Sequence, residues 1–121
     1  MDKDQKISSD LLRGSIDTII LGVLVQTDNY GYNIIKEIFK KSEGGFELKE
    51  PTLYSSLRRL ESQQLIESYW GEEATQGGRR KYYRVNESGY DAYYNNLMDW
   101  ENAKKLIDQL LMIKIKEEQC E

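Results

Sequence analysis

The stretch PTLYSSLRRLESQQLIESYWGEEATQGGRRKYYRV, residues 51–85, decides the fold of this 121-residue chain. Its first half predicts a helix with one buried face, because leucines recur three and four residues apart. These leucines are Leu53, Leu57 and Leu60. Pro51 stands at the predicted first helical position, where its fixed φ and missing N–H cost nothing. We expect this helix to end near Gln64.

The second half of the stretch changes to a strand pattern. Residues 66–70 and 81–85 are rich in β-branched and aromatic side chains, and the turn-forming segment GEEATQGG lies between them. This pattern predicts a β-hairpin with a long tip.

Two more helices are predicted before Pro51. The first follows Ser8 and Ser9 and has an apolar face, formed by Leu11, Leu12, Ile16, Ile19, Ile20, Val23 and Leu24. The second lies between the turn-forming segments TDNYG and SEGG. Three helices followed by a hairpin is the order of a winged helix-turn-helix, an α+β fold whose second and third helices form the helix-turn-helix pair. Other small α+β domains share this order.

The composition excludes several classes of protein. Hydrophobic residues make up 39% and charged residues 31%, which indicates a globular chain rather than a disordered one. The longest apolar run, Ile19–Val25, is too short to span a membrane, and the mixed-charge N-terminus is not a secretory signal. We therefore expect a cytoplasmic protein with one domain and an accessory element. The single cysteine, Cys120, cannot form an internal disulfide.

The absence of histidine argues against an enzyme. Without histidine the chain lacks the usual general acid or base and the commonest metal ligand. Glu72 and Glu73 are a candidate carboxylate pair for acid–base chemistry, but the sequence places them in a polar turn rather than in an apolar pocket. We expect no catalytic site, no metal site and no cofactor.

The predicted third helix has a surface suited to DNA. Thr52, Tyr54 and Ser55 lie near its start, where hydroxyl donors and free backbone N–H groups favour phosphates or base edges. Arg58 fits either a guanine edge or a phosphate, and Arg59 adds a second cation. The alternative is a solvated face on which both arginines cover core leucines.

The charge distribution favours the DNA interpretation. The chain has a net charge of −4, yet residues 51–85 hold six Lys or Arg against four Asp or Glu and form the only net-cationic third. Gly77 and Gly78 allow close backbone approach to a phosphate. Arg79, Arg80 and Lys81 follow directly and supply the charge that phosphates require. The alternative is a charged hairpin that protects its own edges from aggregation.

Alternation along a strand divides these cations between two faces of the hairpin. We expect Arg79 and Lys81 to form one outward row, which we extend to Tyr83, with Arg80 and Tyr82 on the opposite face. The sequence leaves open which row meets DNA.

The last helix is too long for the domain that it follows. With Asn86 as its cap, it would run from Glu87 to about Glu117 and span roughly 45 Å. Its apolar side predicts an interface with a second copy of the chain, formed by Tyr93, Leu97, Trp100, Ile107 and Leu111. We therefore expect a homodimer, with a winged-helix domain at residues 1–86 and a dimerisation helix with its tail at residues 87–121. The alternative is a helix folded back on its own domain.

Trp100 has two interpretations at this stage. A tryptophan at this spacing is most often an anchor within an interface. Across a twofold axis, however, paired indoles could also bind a flat aromatic ligand between them.

The successive motifs NYGYNIIKEI, PTLYSSLRRLESQQLIESYWG, QGGRRKYYRV and MDW resemble the PadR family of bacterial transcriptional regulators, within its short subgroup of multidrug-responsive repressors from lactic acid bacteria. The resemblance extends from about Leu12 to Leu111. It implies a dimeric winged-helix repressor that binds a palindromic operator on double-stranded DNA, with Thr52, Tyr54, Ser55 and Arg58 on the recognition helix and Gly78, Arg79, Arg80 and Lys81 on the wing.

The resemblance also implies a site for planar aromatic molecules at the dimer centre. Trp100 and its twofold mate would flank the ligand, with Leu11, Gly14, Asp17 and Thr18 as candidate lining residues. Asp17 and Lys104 depart in chemistry from the family pattern, so the preferred ligand is expected to differ in charge or hydrogen bonding. A winged-helix module that binds an acidic protein without sequence-specific DNA binding remains the alternative function.

Overall fold

The first predicted helix is divided in two. The structure, a computed structural model, describes residues 9–75 and 78–111. In it, α1 spans Ser9–Leu12, a 3-10 turn spans Arg13–Ser15, and α2 spans Ile16–Gln26. The break includes Gly14, and glycine inside a helix costs about 1 kcal/mol relative to alanine. The predicted first helix is therefore present, but a 3-10 turn that the apolar spacing did not indicate interrupts it.

The helix-turn-helix pair lies where the sequence predicted it. Helix α3 spans Gly31–Lys41, and helix α4 spans Glu50–Ser62 with Pro51 in its first turn. Helix α4 ends where Gln64 adopts a left-handed φ of 62°, which lets the Leu65 N–H donate to the Leu60 carbonyl at 3.0 Å. This hydrogen bond satisfies one of the carbonyls left without a partner at a helix end.

The sheet has three antiparallel strands rather than two. Strand β1 spans Asn29–Tyr30, β2 spans Ile66–Thr75 and β3 spans Gly78–Val85, in the order β1-β3-β2. Asn29 and Tyr30 were interpreted as turn residues, but they pair with Tyr83 and Tyr82 of β3. Strands β2 and β3 also extend further than predicted, with an irregularity between Trp70 and Ala74, so the hairpin tip is shorter than expected. The α+β winged-helix fold itself is confirmed.

A single apolar core joins these elements. Helix α2 lies at its centre and is in contact with α3, α4, β3 and the last helix. Fully buried side chains come from three helices, among them Ile20, Leu21, Leu24, Ile34, Leu53, Leu57 and Leu60. The predicted apolar face of α4 is therefore the face that the core covers.

The last helix, α5, spans Glu87–Leu111 and begins at the predicted cap. Asn86 Oδ1 accepts a hydrogen bond from the Gly89 N–H at 2.9 Å. Tyr93 packs against α2, where an added Cβ on Gly22 would lie 3.2 Å from its Cε1 atom. The predicted continuation to Glu117 lies outside the described residues. Within the described part of the chain, no helix has the length and hydropathy of a membrane span.

Gly89 provides a test of this packing. An added Cβ would contact the Leu65 carbonyl oxygen and lie 2.7 Å from Val85 Cγ1. That carbonyl also accepts the Asn86 N–H at 3.1 Å, so the backbone cannot easily give way. We expect Gly89→Ala to lower the free energy of unfolding by about 1–3 kcal/mol in urea titrations.

Gly14→Ala is the matched control for Gly89→Ala. A Cβ at Gly14 would have no described neighbour within 4 Å, so we expect no loss of stability and a gain of at most about 1 kcal/mol from the higher helix propensity of alanine. Equal effects of the two substitutions would contradict the described contact between α5 and Leu65.

Candidate nucleic-acid interface

Helix α4 exposes all five of the side chains predicted on its outer surface. Its buried residues are Leu53, Ser56, Leu57 and Leu60. The exposed ones are Thr52, Tyr54, Ser55, Arg58 and Arg59. Because the core fixes one side of the helix, the hydroxyl and guanidinium groups are held on the remaining arc. We call α4 and these side chains the recognition face.

Helix α3 adds an aromatic and a cationic group that the sequence analysis did not select. Tyr32 is 64% exposed, and the Lys36 ammonium lies 5.5 Å from its ring centroid. The preceding residue, Gly31, lies directly beneath the Tyr54 hydroxyl of the recognition face, where a larger residue would collide with it. The signal was present in the sequence as a tyrosine and a lysine four residues apart at the start of the helix.

The hairpin of β2 and β3 forms the wing, and its cations lie on both faces. Arg79, Arg80 and Lys81 are all exposed, and Gly78 has a φ of +97°, which favours glycine. Tyr83, in contrast, is 5% exposed and belongs to the core, so its placement in the outward row was wrong. Arg79 and Lys81 alternate with Arg80 and so share the face of β3 that carries Tyr83, but both are exposed whereas Tyr83 is covered by the core.

The opposite face of the sheet forms a ladder of aromatic rings and arginines. The ring centroids of Tyr30 and Tyr82 are 5.4 Å apart, and those of Tyr82 and Tyr69 are 5.7 Å apart. Arg80 lies 4.5 Å from the Tyr30 centroid, and Arg84 lies 4.9 Å from that of Tyr69. These stacked contacts restrain the wing and hold the Arg80 guanidinium close to the sheet.

One more bond anchors this ladder to the rest of the domain. The Tyr69 hydroxyl donates to Asp28 Oδ2 at 2.5 Å. This hydrogen bond to Asp28, together with burial, raises the pKa of Tyr69. The phenol therefore stays protonated at neutral pH and remains a donor.

Arg59 is held by an ion pair within the chain. Its Nε and Nη2 atoms donate to Asp17 Oδ2 and Oδ1, both at 2.8 Å, and Nη2 also donates to Ser56 Oγ at 3.1 Å. The hydrogen bond from Arg59 lowers the pKa of Asp17, although burial opposes the shift. We predicted Arg59 to contact DNA and Asp17 to contact a ligand. In the structure the two side chains bind each other.

A cavity of about 800 Å³ lies between α2, α5 and the end of α3. Of the predicted ligand residues, Gly14, Thr18 and Trp100 line it, whereas Leu11 and Asp17 do not. The Trp100 side chain is half exposed, and the Lys104 ammonium lies 4.8 Å from its ring centroid. Several other lining residues were not predicted, because they come from elements that are separate in the sequence. They include Lys41, Phe46, Asn96 and Asp99.

Tyr93 differs from the other four predicted interface residues on α5 in how much of it the domain covers. Tyr93 also lines the cavity and packs against α2, so the first turns of α5 fold onto their own domain. Leu97 and Trp100 are 38% and 49% exposed, and Ile107 and Leu111 are 51% and 66% exposed. The apolar side of α5 therefore becomes progressively less covered towards its described end.

A helix-turn-helix pair followed by a cationic β-wing defines the winged-helix class of proteins. Comparison with known protein families identifies the family within this class. The chain belongs to the transcriptional regulator PadR-like family, whose model matches residues 20–95.

Individual relatives agree with this assignment. A transcriptional regulator from Clostridium thermocellum shares 45% identity, with a TM-score of 0.80 and coverage of 87% of this chain and 98% of that one. A PadR family transcription regulator from Clostridium difficile shares 40% identity, with a TM-score of 0.70 and coverage of 80% and 98%. An uncharacterized protein from Lysinibacillus sphaericus is 42% identical over 103 residues, which cover 84% of this chain and 93% of the relative.

The Asp17–Arg59 pair predicts a pH-dependent contribution to stability. Because the folded state lowers the pKa of Asp17, the stabilisation is present above the unfolded value of about 3.9 and is lost as pH falls through the folded value. We expect Asp17→Asn to cost about 0.5–1 kcal/mol at pH 7, since the pair is partly exposed. Urea unfolding of both proteins from pH 7 to pH 3 should show this difference shrinking below about pH 4. A constant difference across that range would contradict the assignment.

Proposed function

We propose that the protein is a homodimeric repressor that binds a palindromic operator through its recognition face and wing. Binding of a planar aromatic compound near Trp100 releases the repressor from the operator. One observation supports this proposal above all. A member of the PadR-like family exposes hydroxyl and arginine side chains on α4 and carries a basic wing beside them in the sequence.

Each element of the candidate interface has a distinct role on DNA. Thr52, Tyr54 and Ser55 meet phosphates or base edges at the start of α4, and Arg58 reaches a base edge or a phosphate one turn later. Tyr32 and Lys36 extend this contact along the phosphate backbone of the DNA. We assign Arg59 to positioning rather than to DNA, because Asp17 already accepts two of its hydrogen bonds.

The wing contributes charge that does not depend on base sequence. Gly78 shapes the start of β3, and Arg79 and Lys81 follow it as exposed cations. Arg80 adds a third cation from the opposite face, where it rests on Tyr30. Screening leaves only cations close to the duplex effective, so this local cluster acts despite the net negative charge of the chain.

The second copy is supported by the exposed apolar side of α5. Four of the exposed large hydrophobic residues on this helix belong to its predicted interface side and would be covered by an equivalent helix. These are Leu97, Trp100, Ile107 and Leu111. A twofold axis at α5 would also give two recognition helices, as half-sites about one helical turn apart require. Tyr93 contributes by fixing α5 to α2 rather than by meeting the partner.

The ligand part of the proposal rests on Trp100. Its half-exposed indole borders the cavity and provides a flat surface for stacking. Gly14 of the 3-10 turn and Thr18 of α2 line the same cavity. Lys104 covers one face of the ring in the free protein, so a planar ligand would have to displace this ammonium or stack on the other face.

The DNA-binding part is tested by selection from a pool of random duplexes, followed by competition binding. We expect a palindromic sequence to be enriched and bound at least about tenfold more tightly than random duplex. Binding without such a preference would contradict the proposal and favour a module that uses its basic wing on an acidic protein.

An Arg79→Ala/Arg80→Ala double variant tests the role of the wing. We expect weaker binding to all duplexes and a salt dependence whose slope falls by about 0.9 for each phosphate that the variant no longer neutralises. Lys105→Ala, which removes a cation from α5, is the control and should leave the slope unchanged. An unchanged slope in the double variant would assign phosphate binding to other residues.

A further inference from the structure

The first turn of α2 joins the recognition helix to the last helix. Asp17 accepts both hydrogen bonds of the Arg59 fork from α4. The next residue, Thr18, accepts a hydrogen bond at its Oγ1 from Asn96 Nδ2 of α5 at 3.1 Å. Two adjacent residues therefore connect the element that carries the recognition face with the element that carries Trp100.

The contact to α4 constrains orientation as well as distance. A two-pronged guanidinium–carboxylate contact fixes the plane of both groups, which a single lysine contact would not do. The same Nη2 atom also donates to Ser56 Oγ, and Ser56 is fully buried in α4. Arg59 is thus held by its own helix and by α2 together.

The other end of this connection lies at the cavity. Thr18 and Asn96 both line it, and Trp100 follows Asn96 by one helical turn. Gly14 and Ser15 of the preceding 3-10 turn also line the cavity. Any occupant that changes the wall on this side therefore acts on residues next to Asp17, although Asp17 itself is not part of the lining.

We propose that Asp17 and Arg59 are positioning residues that couple occupancy of the cavity to the orientation of the recognition helix. This inference rests on the proposed function, because it requires both operator binding and a ligand near Trp100. Neither residue needs to touch DNA or ligand. Such coupling is reciprocal, so operator binding must change ligand affinity by the same factor with which the ligand changes operator affinity.

The experiment uses a fluorescent anionic dye, anilinonaphthalenesulfonate, as the cavity probe. DNA phosphates repel its sulfonate, so the signal reports binding to protein. In a Trp70→Phe background Trp100 is the remaining tryptophan, and energy transfer from it shows that the dye is bound nearby. The dye affinity is measured without and with a saturating amount of the selected operator duplex, and the ratio of the two affinities is the coupling factor.

We expect a coupling factor of about 5–150 in the Trp70→Phe protein. Asp17→Asn and Arg59→Gln should each reduce it to below about twofold, and the double variant should show no further loss because the two residues act as one unit. The dye affinity of the free protein should change by less than about threefold, since Asp17 and Arg59 do not line the cavity. Thermal melting checks that each variant is folded.

Glu67→Gln is the matched control. It also changes a carboxylate to an amide and removes an arginine ion pair, the 3.3 Å contact between Glu67 and Arg84 on the wing. We expect it to keep the parental coupling factor. An equal loss of coupling in this variant would assign the effect to general electrostatics and overturn the proposal.

The remaining outcomes separate this inference from the proposed function. A folded Asp17→Asn protein with the parental coupling factor would overturn the positioning role alone. A coupling factor of one before any change at Asp17, or no dye binding near Trp100, would overturn the ligand response and this inference with it. Failure to select an operator would overturn the proposed DNA recognition itself.

Discussion

The burial of α2 is the constraint on which the rest of the structure depends. Its apolar residues are covered by α3, α4, β3 and α5, and each fully buried large side chain contributes about 1.5–3 kcal/mol. Gly22 on the same helix leaves space for Tyr93 of α5. Because α2 contacts both α4 and α5, it fixes the direction of the recognition helix relative to that of the proposed dimer helix.

Local signals were sufficient to predict the main elements of the fold. The position of Pro51, the leucine spacing of α4 and the Asn86 cap all act within a few residues. Strand β1 had no such signal, because Asn29 and Tyr30 become a strand only through pairing with β3. The inward position of Tyr83 likewise depends on where the helices stop covering β3, which alternation along the strand does not reveal.

The candidate site divides in the same way between local and long-range effects. The exposure of Thr52, Tyr54 and Arg58 could be predicted, because the core leucines leave only one arc of α4 free. The pairing of Arg59 with Asp17 could not, since the two residues are 42 positions apart and join different helices. In our proposal this pairing makes the two residues one structural link rather than a DNA contact and a ligand contact.

We propose that the exposed apolar side of α5 joins two copies of the chain and so presents two recognition helices to one duplex. Sedimentation equilibrium at micromolar concentration tests it most directly. The account predicts a species of twice the chain mass of 14.2 kDa, and conversion to the single-chain mass when Ile107, which is 51% exposed on α5, is changed to glutamate. A single species of 14.2 kDa in the unaltered protein would contradict it.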